Sequence, residues 1–206
     1  MKAEKNVISI TGHLSKAFHT VRHSTLLIKI AELDLPLPVY NWLVAFFDGH
    51  THRTVYNGGV SSTISISASI VQGSSLGPAS YAVIAADLNL LHADNKFVKF
   101  ADDTYLVVPA KSVHTRAVEL DYRAAWATEN NLTLNTSKTK EVIFYDSRRR
   151  HSAQSPPLLP GIAREFTLKI LGVTLSSHLS VSDHIRASSV TARSRCMPCV
   201  SYGITV

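Results

Sequence analysis

An α+β fold follows from three features of the sequence. Strand-like runs interleave with helical ones, two hairpin signals stand among them, and the helical runs carry apolar stripes. Together they predict a sheet covered by helices on one face. The first hairpin signal is Asn57-Gly58 among β-prone residues, the strongest short-range cue for a two-residue turn. The second is VKFADDTYLVV at 98–108, which reads as strand, tight turn and strand.

A VISI run at 7–10 is a short strand, which Thr11-Gly12-His13 ends. Ser15 is a candidate cap for a helical start at Lys16-Ala17-Phe18, since its hydroxyl accepts from free N–H groups of a first turn. Ser24 caps a second helical segment with Leu26, Ile30 and Leu33 on one stripe. Pro36 and Pro38 break the chain, and Pro38 suits the first turn of a new helix. There Val39, Trp42, Leu43, Phe46 and Phe47 recur with the period of a buried helix face, and Gly49 stops it. These aromatics are expected in the core rather than around a cofactor. Residues 53–56 and the alternating Ile64-Ser65-Ile66 are strand candidates flanking Asn57-Gly58. A glycine-rich loop at 72–78 leads into a helix through Tyr81, Ile84, Ala85 and Leu88. After the second hairpin, a helix over 113–130 presents Val118, Tyr122, Ala125 and Trp126 on one face. Residues 132–134 and 141–145 are strands. Arg148-Arg149-Arg150, Pro156, Pro157 and Pro160 mark a linker, and 168–175 is a last strand pair or bent strand. Beyond about Ser182 the periodicity fades, and no internal repeat appears.

With 206 residues, 45% of them hydrophobic, the chain can bury one core or a domain and a half. Charged residues make up 17%, and no long stretch has a disordered composition. The net charge of +6, with pI near 9.4, favours an anionic partner, of which nucleic acid is the commonest. No apolar run approaches the ~20 residues of a membrane span, and the start MKAEKNVISI lacks the apolar stretch of a secretory signal. Cys196 and Cys199 form a single C-x-x-C, without the second ligand pair of a zinc site or the strand-to-helix setting of a redox motif. They read as free thiols in a reducing compartment. The expectation is an intracellular protein, nuclear or cytoplasmic, neither secreted nor membrane-bound.

The chemistry concentrates at Asp102 and Asp103. Adjacent carboxylates at a tight turn repel each other beside buried apolar strands, a cost that a divalent cation removes, because hard cations take carboxylate oxygens. On the hairpin alone, ordinary turn chemistry is the stronger account. Order along the chain reverses that judgement. LSKAF at 14–18, QGSSLGP at 72–78, FADD at 100–103, LTLNTSKTK at 132–140 and LKILGV at 168–173 follow one another. This order and spacing resemble the reverse transcriptase domain of LINE-type non-LTR retrotransposons, RNA-directed DNA polymerases, over about residues 7–182.

The resemblance implies a polymerase palm, an antiparallel sheet with helices on one face, with partial fingers and a truncated thumb. It implies RNA-templated DNA synthesis in which two Mg2+ ions clamp the attacking 3′-hydroxyl and the leaving pyrophosphate. The implied partners are an RNA template, a DNA primer and deoxynucleoside triphosphates. Carried over by motif, Asp102 and Asp103 are the second and third metal carboxylates. Phe18 is the ring that excludes a ribose 2′-hydroxyl by shape, against a plainer role as a core residue at a helix start. Gln72 and Gly73 line the nucleotide and template pocket, where glycine allows close backbone approach; the alternative is a plain turn before a helix. Lys138 assists pyrophosphate departure with a proton or positive charge, against a solvated surface lysine. Leu171 and Gly172 belong to the primer-gripping hairpin.

The same resemblance implies a palm with partial fingers insertions over 1–147 and a Pro/Arg-rich connector over 148–165. A primer-grip-like hairpin over 166–181 and a thumb stub or divergent tail over 182–206 complete the division. Fingers starting upstream and a thumb continuing past Val206 are implied as well.

One departure bears on activity. The family pattern reads D-x-SKAFD, whereas this chain has histidine at both aspartate places, His13 and His19. The position of His19 is not a metal ligand in the family. His13 stands where the metal-bridging carboxylate belongs and takes that aspartate's place in the catalytic set. Imidazole suits zinc, copper or nickel, whereas magnesium takes oxygen and keeps several waters. A neutral imidazole also brings none of the negative charge that holds two dications together. Polymerase activity is therefore expected to be severely reduced or absent. Asp and His codons differ by one base, so mutational decay suffices as a cause. A zinc site of His13, His19 and His23, the last two at i and i+4, is a remoter reading that nothing else in the sequence supports. Two further readings stay open, a non-catalytic nucleic-acid-binding module and a retroelement remnant without function.

Overall fold

The computed structural model describes residues 6–15, 17–71, 73–145 and 155–195. Lys16, Gln72, Arg148-Arg149-Arg150, Cys196 and Cys199 lie outside the described residues. Strand β1 (Asn6–Ser15) leads into α1 (Ala17–Thr20), α2 (His23–Ala31) and α3 (Leu37–Phe47). Short strands β2 (Thr51–His52), β3 (Val55–Tyr56), β4 (Gly59–Val60) and β5 (Ile64–Ser65) follow. Then come α4 (Leu76–Ile84), β6 (Lys96–Phe100) and β7 (Asp103–Pro109). A 3-10 segment (Ala110–Thr115) runs into α5 (Arg116–Glu129), β8 (Thr133–Leu134) and β9 (Lys140–Tyr145). Strands β10 (Ala163–Glu165), β11 (Thr167–Ile170) and β12 (Val173–Ser176) precede α6 (Ser182–Arg195).

The expected α+β arrangement is present. The main sheet has the order β10-β9-β1-β7-β6, with β8 on the far end of β1. Its pairings are antiparallel except β10 with β9. Alternation along β1 buries Ile8, Ile10 and Leu14. Ile8 and Ile10 join Leu106, Val108, Ile143 and Leu120 of α5 in one apolar cluster. Leu14 joins a second with side chains of α2, α3, α4 and Trp126, and Phe97 packs against both. Each such side chain fully buried contributes about 1.5–3 kcal/mol.

β1 runs through Thr11-Gly12-His13, where the sequence reading ended it. Its early part pairs with β9 as far as Ile10↔Glu141, and its end pairs with β8 from Leu14↔Leu134. Along the other edge, β7 pairs without interruption to His13↔Asp103. Thr11 bridges the change of partner, its hydroxyl accepting from the Lys140 N–H at 2.9 Å and donating to the Lys140 carbonyl at 3.3 Å. Ser15 is therefore a strand residue, paired with Thr133, and not a helix cap.

Other expectations are corrected in the same way. Arg22 is the N-cap of α2 and makes no side-chain cap, which leaves Ser24 inside the helix and Leu33 beyond its end. On α3, Leu43 and Phe47 are buried, but Val39 and Trp42 are exposed, with Trp42 stacked on Phe46 at 5.7 Å. α4 stops at Ile84, and Ala85 and Leu88 stay buried in the irregular chain that follows. Asn57 and Gly58, with φ of 47° and 80°, close a hairpin of β3 with β4, while Ile64-Ser65 pairs with Thr51-His52. Of the face expected on α5, Trp126 is buried and Val118 is exposed; Arg116, Glu119 and Arg123 are buried too. Those charges go inside because each finds a partner there. Glu119 accepts from the His92 N–H at 2.9 Å, and Arg116 pairs with the buried Glu141. α6 forms where periodicity fades, and its described side chains are nearly all exposed, so it has no apolar stripe to read. No helix among the described residues is long and apolar enough to cross a membrane.

Candidate active site

Directly opposed residues of an antiparallel pair share a face. His13 opposes Asp103 across β1 and β7, so both project from the same side of the sheet. Residues 101–102 form the two-residue turn between the paired Phe100 and Asp103, which sets Asp102 beside its neighbour. Nδ1 of His13 lies 3.5 Å from Oδ1 of Asp103 and 3.9 Å from Oδ2 of Asp102. One donor atom from each of the three falls within 4.8 Å of the others. All three side chains are partly exposed, so solvent and ions reach them. The turn is held in a costly conformation. Ala101 has φ 48°, a region that costs a non-glycine residue about 1–2 kcal/mol.

The next residues along each strand, Gly12 and Thr104, face the opposite side. Thr104 Oγ1 donates to the Gly12 carbonyl at 3.0 Å, and Arg123 of α5 donates through Nη2 to Thr104 Oγ1. Arg123 is only 4% exposed and lies over the Phe97 ring, 5.0 Å from its centroid. Burial pulls its guanidinium down to about 10. Gly12 makes this approach possible, because a Cβ there would overlap the guanidinium and lie 2.7 Å from Thr104 Oγ1. Nearby, burial first and then the charge of Asp102 push the Tyr81 hydroxyl above its ordinary range. That hydroxyl and Nε and Nη1 of Arg123 are buried with no hydrogen-bond partner among the described residues.

Asn135 ties the turn after β8 to the site. Its N–H donates to the His13 carbonyl at 2.8 Å, and its Oδ1 accepts from the Lys138 N–H at 3.1 Å. Lys138 thereby reaches a cleft of about 350 Å³ whose lining also includes His13, Asp103, Tyr105, Lys140 and Lys169. β11 and β12 form one wall of it through Leu168, Lys169 and Thr174. Leu171 and Gly172 are the two-residue turn of that hairpin, with φ of 46° and 88°. Burial, then the Asp103 charge, raises the Tyr105 hydroxyl, which meets the Leu171 backbone.

The fold thus brings His13, Asp102, Asp103 and Lys138 together, with the hairpin of Leu171 and Gly172 alongside. Phe18 stands apart from the cleft lining, partly buried against the helical core with its ring 5.2 Å from Tyr81. Gly73 is exposed at φ 82°, with open space where a Cβ would be. Gln72 is not among the described residues. His23 is buried, and its Nε2 lies 2.8 Å from the Ser69 carbonyl. Among the described residues the metal-capable donors that converge are His13, Asp102 and Asp103, not the three histidines. Arg123 and Tyr81 were missed as site neighbours. A sequence signal existed for Arg123, since Arg116, Glu119 and Arg123 recur at helical spacing and form a charged stripe.

A family model described as reverse transcriptase (RNA-dependent DNA polymerase) matches residues 1–175. A probable RNA-directed DNA polymerase from transposon X-element of Drosophila melanogaster is 28% identical over 84% of this chain. The RNA-directed DNA polymerase from mobile element jockey of the same species is 31% identical over 84%. The chain spans about a fifth of the length of these curated relatives, 20% of each. Telomerase from Candida tropicalis, in complex with a TWJ fragment of telomeric RNA, superposes with a TM-score of 0.63 at 12% identity. That match covers 87% of this chain and 30% of that one. Apo telomerase from the same species, truncated from its C-terminal domain, gives 0.58 at 11% identity over 85% of this chain and 35% of its own. At such identities the likeness concerns the fold alone, and that fold is the palm-like arrangement expected from the motifs.

Proposed function

The chain belongs to the reverse transcriptase (RNA-dependent DNA polymerase) family, and we propose that it is the palm-centred part of a LINE-type enzyme whose metal site no longer supports DNA synthesis. The observation that carries this reading is the His13 imidazole 3.5 Å from Asp103, where the family pattern has a carboxylate. The ancestral activity is extension of a DNA primer on an RNA template with deoxynucleoside triphosphates, using divalent Mg2+. The donors present do not fit a pair of magnesium ions. One of three carboxylates is replaced by a nitrogen donor, and magnesium prefers oxygen. Two aspartates alone leave two adjacent dications poorly compensated.

The rest of the site retains roles that do not need that pair. Lys138 and Lys169 line the cleft and attract phosphate oxygens of a primer end or a triphosphate, while Lys140 beside them is paired with Glu165 at 3.2 Å. The hairpin bearing Leu171 and Gly172 supports the primer, and Phe18, its ring tilted against Tyr81 at 5.2 Å, limits the space for a sugar. Residues 1–147 act as palm with partial fingers, 148–165 as connector and 166–181 as primer grip.

The test is restoration. Supplied with the fingers and thumb that the family resemblance implies, the chain carrying His13→Asp should gain Mg2+-dependent incorporation that the same assembly with His13 lacks. If it brings no gain while Asp102 and Asp103 are intact, the assignment of His13 to the metal position fails.

A second reading, a non-catalytic nucleic-acid-binding module, is favoured by the net charge of +6 and the three cleft lysines. It predicts salt-dependent binding without a Mg2+ requirement, because phosphate contacts release counterions. Asp102→Asn with Asp103→Asn should then leave binding intact or improve it.

A further inference from the structure

We infer that His13, Asp102 and Asp103 hold a single borderline transition-metal ion, with zinc the best match, where the family carries magnesium. This rests on the reading of the site as a palm with one carboxylate replaced, and goes beyond it by assigning the cation and its number.

The donor set is the first reason. Imidazole nitrogen and carboxylate oxygen are both donors that Zn2+ accepts, with bonds of ~2.0–2.2 Å. Geometry agrees. Around a tetrahedral ion with such bonds, neighbouring donors stand ~3.3–3.5 Å apart, against ~3.0 Å around octahedral magnesium. The His13 Nδ1 separations are 3.5 Å to Asp103 and 3.9 Å to Asp102, with all three donors inside 4.8 Å. Three protein donors leave the fourth position open to solvent, which the partial exposure of all three side chains permits.

Charge fixes the number of ions. Two carboxylates balance one dication and leave nothing for a second. Among the described residues Asp103 is the sole carboxylate in the cleft lining, beside Lys138, Lys169 and Lys140, the last paired with Glu165 at 3.2 Å. Behind the sheet, the buried guanidinium of Arg123 sits on Thr104, the residue after Asp103, and two of its nitrogens have no partner among the described residues. A second dication would meet Lys138, Lys169 and Arg123 with no further carboxylate in the described cleft lining to offset them.

The experiment uses the full chain carrying Cys196→Ser and Cys199→Ser, which removes thiols that compete for soft metals. Co2+ is titrated in first, because its visible absorption reports four-coordination by nitrogen and oxygen, and Zn2+ or Mg2+ is then added in competition. The expected result is one Co2+ per chain, displaced by stoichiometric Zn2+ and resisting about a 100-fold excess of Mg2+. His13→Ala and Asp103→Asn should each weaken binding by about 10-fold or more. His13→Gln replaces His13→Ala if circular dichroism shows the alanine variant unfolded. Co2+ binding unchanged in the folded histidine variants, two equivalents per chain, or displacement by equimolar Mg2+ overturns the inference. The two readings fail separately. Mg2+-dependent primer extension by the unaltered chain would remove the impaired-palm reading, whereas absent Zn2+ binding in an inactive chain removes this inference alone.

Discussion

His13 and Asp103 face each other across β1 and β7, with Nδ1 of one 3.5 Å from Oδ1 of the other. An aspartate at position 13 would bring a third carboxylate to this point, and the three would repel unless cations stood between them. The imidazole removes that repulsion and, with it, the demand for two dications. His13→Asp should therefore lower the stability of the metal-free chain by about 1 kcal/mol, a value discounted for solvent exposure. Added Mg2+ should recover the loss in the variant and leave the unaltered chain unmoved. Urea melts with and without Mg2+ check this, and equal metal-free stabilities would count against the geometry.

Behind the site, Gly12 makes room for Arg123. Gly12→Ala should cost about 1–3 kcal/mol through overpacking. Adding Arg123→Ala should cost less than the two separate losses combined, because removing the guanidinium vacates the space the new methyl needs. Strict additivity of the two substitutions in urea melts would show that they do not meet.

A second buried charge network ties the sheet to its last strand. Glu141, 1% exposed, pairs with Arg116 on one side and accepts from Nε of Arg164 at 2.7 Å on the other. Glu141→Ala leaves Arg116 buried without its counter-charge and should cost about 3–5 kcal/mol. Arg164→Ala should cost less, since its side chain is 20% exposed and Arg116 still satisfies Glu141.

Acid sensitivity should trace in part to Asp87. Burial alone would raise this carboxyl, but hydrogen bonds from Lys29 and Trp126 outweigh it and hold the group below its ordinary 3.8. Lys29 Nζ reaches both carboxylate oxygens, at 2.7 and 2.8 Å, and Trp126 Nε1 reaches one at 3.0 Å. A carboxyl depressed by folding adds stability above its unfolded value, and that share is lost as pH falls through the folded value. Stability measured below about pH 3.8 should thus decline more steeply in the unaltered chain than in Asp87→Asn. A steeper decline in the variant would reverse the sign and refute the assignment.

Much of this could be read from the sequence because local patterns and tertiary contacts agree there. Asn57-Gly58 closes a hairpin, Ala101-Asp102 closes another, and α3 keeps its predicted span. His13, Asp102 and Asp103, which the motifs single out, have donor atoms within 4.8 Å of one another. What stayed hidden was decided by partners far along the chain. β1 outruns its apolar pattern because Asp103, Thr104 and Tyr105 pair with His13, Gly12 and Thr11, which look like a turn. α5 buries Arg116, Glu119 and Arg123 because Glu141, the 91–95 loop and Thr104 await them. A hydrophobic period cannot register such charges, since their burial depends on residues outside the helix.

On the proposed reading, His13 stands between this site and magnesium-dependent synthesis. The most direct test is primer extension on an RNA template with Mg2+, the unaltered chain measured beside Asp103→Asn as a blank. The expected result is no incorporation above the blank. Incorporation by the unaltered chain that Asp103→Asn abolishes would contradict that reading.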